Sequence, residues 1–191
     1  RDIVIERACN SPQRLIALLM QPFTSPTFEP DPNFCESTST RRFLYRLRCA
    51  CEILDSNMEE QAQQAVHSHL KDLAHWIEHA LRDAAVLLTG LPLQSIKTYQ
   101  PVCFNLTDYK AVQLSFREAL PSMLRGICAL CSDRSSKIAK PAGAQLSPDL
   151  MALSLGIITL LMGERSLKLS ADEVKVYLRC IRQVVSYTLT S

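Results

Sequence analysis

Residues 57–90, NMEEQAQQAVHSHLKDLAHWIEHALRDAAVLLTG, decide the fold class. Asn57 suits the N-cap of a helix, with Glu60 three residues on as its capping-box partner. Thr89-Gly90-Leu91-Pro92 supplies a left-handed stop followed by a residue that cannot continue a helix. Between them Leu70, Leu73, Ile77, Leu81, Ala84 and Leu88 recur at helical spacing and gather on one face. The stretch therefore predicts one long helix near 57–89, of about nine turns, serving as scaffold.

Around it the chain reads as helix throughout. Only five glycines occur in 191 residues, strand-like alternation is scarce, and Leu, Ala, Gln, Glu, Arg and Lys fill the periodic stretches. Residues 2–20 predict a helix interrupted at Ser11-Pro12, and residues 21–40, with Pro22, Pro26, Pro30 and Pro32, a Pro-rich loop. Phe23, Phe28 and Phe34 in that loop suit an arm that packs over the domain or inserts into a partner. Helix resumes near Thr40 and runs to Asp55. After an irregular connection over 93–106, Thr107 serves as a cap for a helix from Asp108, which Pro121 kinks or divides before Cys131.

Residues 132–147 have the composition of an exposed flexible loop. Ser147-Pro148 then opens a helix from Leu150 to Met162, apolar nearly all round. At roughly 20 Å it is too short to cross a membrane, so it predicts the buried centre of the fold. Ser170 and Glu173 form a capping box for the last helix, which runs toward Tyr187. The expected architecture is all-α with about 7–8 helices in a single domain over 1–191. It is either an irregular helical-repeat (ARM/HEAT-type solenoid) fragment or a compact multi-helix bundle. A start at Arg1, with neither Met nor an apolar leader, suggests a piece of a larger protein.

The chemistry-bearing residues mostly resolve into structure. His67, His69, His75 and His79 all lie on the 57–90 stretch, and His75 and His79 have metal-pair spacing, but they point away from the apolar stripe into solvent. Cys128-Ala129-Leu130-Cys131 is a lone CxxC inside a helical stripe with Leu124 and Ile127. It reads as core, as do most of the eight cysteines, which suit reduced thiols in a nuclear or cytoplasmic protein. No phosphate loop, paired carboxylates or nucleophile–base arrangement is present, so neither catalysis, a cofactor nor a metal is expected.

One feature points outward. On the helix from Arg41, Leu44, Leu47, Cys51 and Leu54 form the buried seam, while Arg41, Arg42, Arg46 and Arg48 flank Tyr45 on the other side. Guanidinium forks grip carboxylate or phosphate in bidentate fashion. These five residues are the expected contact for a partner protein of acidic character, with nucleic acid or phosphate as the alternative. A net charge of +2 does not by itself demand nucleic acid. The leading functional expectation is a non-enzymatic interaction or scaffold domain, and homo-oligomerisation is a third reading. Of the three Ser-Pro pairs, at 11, 25 and 147, two are accounted for as helix starts, leaving Ser25 as the one candidate for proline-directed modification.

Overall fold

In the computed structural model the described residues are 17–25, 27–29, 33, 36–55, 69–88, 99–131, 146–163 and 168–190. Five long helices run through them. They are α1 (Glu36–Asp55), α2 (Leu70–Leu88), α3 (Tyr109–Cys131), α4 (Pro148–Gly163) and α5 (Ala171–Thr190), with 3-10 turns at Gln21–Thr24 and Leu106–Asp108. Counting helical residues 17–20, six α-helical segments are described, against the 7–8 expected, and among these residues there is no strand. The expected capping box at Asn57 and Glu60, the stop at Gly90, His67, the break at Ser11-Pro12 and most of the 132–147 loop lie outside the described residues.

The core is built around α3, which packs against α1, α5 and α2. Arg41 meets Ala111 and Glu52 meets Ser122, so the contacts climb both chains together and α1 runs parallel to α3. Helix α4 packs against α2 and also touches α5. The packing is compact, and no recurring repeat unit is evident among the described helices.

Helices α1 and α3 approach closely where Gly126 of α3 faces Cys51 of α1. A Cβ at Gly126 would stand 2.8 Å from the Cys51 Sγ and 3.0 Å from its Cβ, so only glycine lets the helices approach this far. Pro121 neither ends nor divides α3, which is one helix of 23 residues; Pro121 simply lacks the N–H that an interior turn would use.

The expected centre of the fold is corrected. Helix α4 buries Leu150, Met151, Ser154, Ile157, Ile158 and Leu161, but leaves Leu160 and Met162 nearly half exposed, at 46% and 47%. It is a peripheral helix with an apolar outer face. The central position belongs to α3, whose amphipathic pattern buries Val112, Phe116, Leu120, Met123, Leu124 and Ile127 completely.

Helix starts follow the local chemistry. Ser147 Oγ accepts the Leu150 N–H at 3.0 Å and donates to Glu78 Oε2 at 2.7 Å, tying α4 to α2 as it caps it. The Ser170–Glu173 capping box forms as expected, at 2.7 and 3.2 Å. Asn105 caps the 3-10 turn Leu106–Asp108 that leads into α3, its side chain accepting the Thr107 N–H at 3.1 Å, and the expected cap Thr107 lies within that turn. Helix α1 starts at Glu36, four residues earlier than expected, because Ser39 and Thr40 are buried in register with Phe43, Leu44 and Leu47. Tertiary burial outweighs the loop preference of a Ser/Thr run.

Of the proline-rich stretch, Phe23 and Phe28 pack onto the core. Phe23 is buried and its carbonyl accepts the Trp76 indole N–H at 3.0 Å. Phe23, Phe28 and Trp76 each meet Phe43 edge-on, with ring centroids 5.1–5.5 Å apart. Phe34 lies outside the described residues.

Candidate functional site

On α1 the seam of Leu44, Leu47, Cys51 and Leu54 is buried as expected. Opposite it, Arg41, Arg42, Tyr45 and Arg46 are exposed, Tyr45 by 64%. The five residues expected to act together nevertheless have different surroundings. Arg41 Nη2 donates to the Ala111 carbonyl at 3.0 Å, which fixes its guanidinium across the α1–α3 junction. Arg48 donates to Glu52 Oε1 at 3.0 Å, and this hydrogen bond raises its pKa. Burial alone would raise the Glu52 pKa, but hydrogen bonds from Arg48 and from Ser122, the latter at 2.8 Å, hold it below the usual carboxylate value. Arg48 is therefore half-buried and ion-paired, at the edge of the exposed face.

Arg42 and Arg46, one helical turn apart, wall a recess of about 220 Å³ whose other side is the 22–29 segment, including Ser25, Thr27, Phe28 and Glu29. Phe28 also lines a second, larger recess of about 450 Å³, with Thr40, Val102, Phe104 and Leu106. That volume lies in the range of ligand-binding clefts, roughly 300–1,000 Å³. Thr40 is fully buried and its Oγ1 has no hydrogen-bond partner. The larger recess is of mixed character, with Tyr99, Gln100 and Asn105 also in its lining, and it shares the Phe28 wall with the recess beside Arg42 and Arg46.

Asp83 positions the far wall. Its carboxylate is fully buried on α2 and accepts the Tyr99 hydroxyl, the Val102 N–H at 3.1 Å and the Cys103 N–H at 2.7 Å. Burial pushes its pKa up, against the opposing effect of these donors. The 99–103 segment is pinned to α2 in this way, and Val102 and Phe104 are presented to the cavity. Reading the sequence missed Asp83, and the available signal was a carboxylate in register with buried Ala80, Ala84 and Leu87.

The other expectations fall as follows. His75 is exposed and His79 half-buried, with rings 4.4 Å apart edge-on, and His69 Nδ1 lies 3.7 Å from Asp72 Oδ2. Among the described residues no three His, Cys, Asp or Glu side chains cluster to hold a metal. Cys128 and Cys131 are buried, and among the described residues no disulfide joins the six cysteines. Cys128 hydrogen-bonds to Cys180, which draws the Cys128 pKa down and, with burial, drives that of Cys180 up. Arg179 nearby forks onto Asp55 at 2.8 and 3.1 Å, joining α5 to α1. No described helix is long and apolar enough to cross a membrane. No protein-family model, curated protein or solved structure matches the chain.

Proposed function

We propose that this chain is a non-enzymatic protein-interaction domain that holds an acidic partner segment across α1. Arg41, Arg42 and Arg46 meet its carboxylates, and an apolar side chain of the partner enters the cavity beside Phe28. The single observation that carries this reading is the shared Phe28 wall between a recess lined by two arginines and a larger one where Val102, Phe104 and Leu106 stand among Tyr99, Gln100 and Asn105. Guanidinium forks favour bidentate carboxylate contacts, and a buried anchor beside a charged rim is the usual anatomy of a specific interface. The free cysteines support placing the protein in the nucleus or cytoplasm.

The test uses a fluorescent nine-residue peptide of Asp and Glu around a central Trp, compared with its Ala-centred version and with a single-stranded oligonucleotide of equal charge. The Trp peptide is expected to bind most tightly, and Arg42→Gln with Arg46→Gln to weaken it about tenfold. If the triple Gln variant at 41, 42 and 46 left binding unchanged, the basic-face reading would be lost. Tighter binding of the oligonucleotide, with a steep loss of affinity on adding salt, favours the nucleic-acid alternative.

Helix α5 supports a second reading, self-association. Leu178, Val185 and Leu189 are exposed by 53%, 43% and 81% along one stripe, opposite the buried face of Tyr177, Cys180 and Val184. Sedimentation giving a mass that stays a multiple of 21.4 kDa on dilution supports it.

A further inference from the structure

The three Ser-Pro pairs have different fates. Ser147 Oγ is committed to the Leu150 N–H and to Glu78, so a phosphoryl group there would break a helix cap and face a carboxylate. Ser11-Pro12 lies outside the described residues. Ser25, by contrast, is half-buried in the wall of the basic recess, across from Arg42 and Arg46. Its backbone is extended, with φ −82° and ψ 137°, the conformation that a residue before proline favours.

We propose that Ser25 is a phosphorylation site for a proline-directed kinase, and that Arg42 and Arg46 receive its phosphate. In the reaction Ser25 Oγ attacks the γ-phosphorus of a nucleoside triphosphate. The bond to the β-phosphate oxygen breaks, the nucleoside diphosphate leaves, and the hydroxyl proton passes to the kinase's base. The product carries a charge of about −1.5 to −2 and three acceptor oxygens, matched to two guanidinium groups one helical turn apart. Glu29 lines the same recess, so its carboxylate opposes the phosphate there. The consequence rests on the interaction function proposed above: the phosphate occupies the arginines that an acidic partner needs and closes the face to it.

The test takes the full chain, phosphorylates it with a proline-directed kinase and ATP, and maps the site by mass spectrometry, with Ser25→Ala as control. Phosphorus NMR then follows the second ionisation of the phosphoserine. It is expected below its ordinary pKa of about 6, and Arg42→Gln with Arg46→Gln is expected to return it there. The Trp-centred acidic peptide is expected to bind the phosphorylated chain about tenfold more weakly. Phosphate incorporated elsewhere but not at Ser25 overturns the site, and an ionisation unmoved by both arginine variants, each shown to melt like the parent, overturns the receiving pair. Failure of the peptide to bind either form counts against the interaction reading alone, because the phosphorus titration reports on the recess without any partner.

Discussion

Replacing Asp83 with alanine removes the acceptor for three donors at once. The Cys103 N–H is buried and the Val102 N–H partly so, whereas the half-buried Tyr99 hydroxyl has a route to water. Each orphaned buried donor costs about 1–3 kcal/mol, so Asp83→Ala is expected to lose about 3–5 kcal/mol, a large part of a typical domain's ~5–15 kcal/mol. Asp83→Asn keeps one oxygen for the two N–H groups and can donate to the Tyr99 oxygen, so it is expected to lose only about 1–2 kcal/mol.

The pair of variants also carries a pH signature. Burial holds the folded pKa of Asp83 above its ordinary 3.8 despite the donors. A raised folded pKa means that the stability linked to this carboxyl is fully present below 3.8 and is lost as pH rises through the raised value. The penalty of Asp83→Asn relative to the parent must then shrink as pH rises across that window. Urea unfolding from mildly acidic to neutral pH measures both effects. An Asp83→Ala variant within about 0.5 kcal/mol of the parent would refute the pinning role. An Asn penalty that grows with pH would show that the donors outweigh burial.

At the α1–α3 contact, Gly126→Ala gains about 1 kcal/mol of helix propensity but drives a methyl against Cys51. A net loss of about 1–2 kcal/mol is expected in urea unfolding, partly relieved by adding Cys51→Ala, and a stabilised Gly126→Ala would contradict the close approach. Burial, and then the neighbouring His75, lower the His79 pKa, so its NMR titration midpoint is expected below 6.5 and should rise in His75→Gln. The stability linked to the neutral His79 ring is present above 6.5 and lost as pH falls through the lowered midpoint; a His79 midpoint unaffected by His75→Gln contradicts the ring pairing.

Local chemistry was legible in the chain. The α1 seam, the Ser147 and Ser170 caps and the solvent side of α2 follow from spacing and side-chain type alone, because each is settled within one or two helical turns. What depends on distant neighbours was not legible. Leu150–Met162 looks central because it is apolar all round, yet a helix's place in the core depends on which others flank it, and α3 has the flanking position. The arginines on α1 were visible, but what separates their roles comes from elsewhere: the Ala111 carbonyl lies 70 residues from Arg41, and the 22–29 segment folds back over Arg42 and Arg46. Asp83 was hidden because a carboxylate in a helical sequence normally marks the wet face, and only the returning 99–103 backbone makes it an interior acceptor.

The parallel pairing of α1 with α3 also sets an order of events during synthesis. Contacts such as Glu52 with Ser122 join residues 70 apart, so α1 emerges with Leu44, Leu47 and Cys51 uncovered until α3 has been made. At about 5–20 residues per second that interval is roughly 4–14 s. The nascent chain therefore carries an apolar helical face that needs cover during translation, and a truncation ending before α3 leaves that face permanently open.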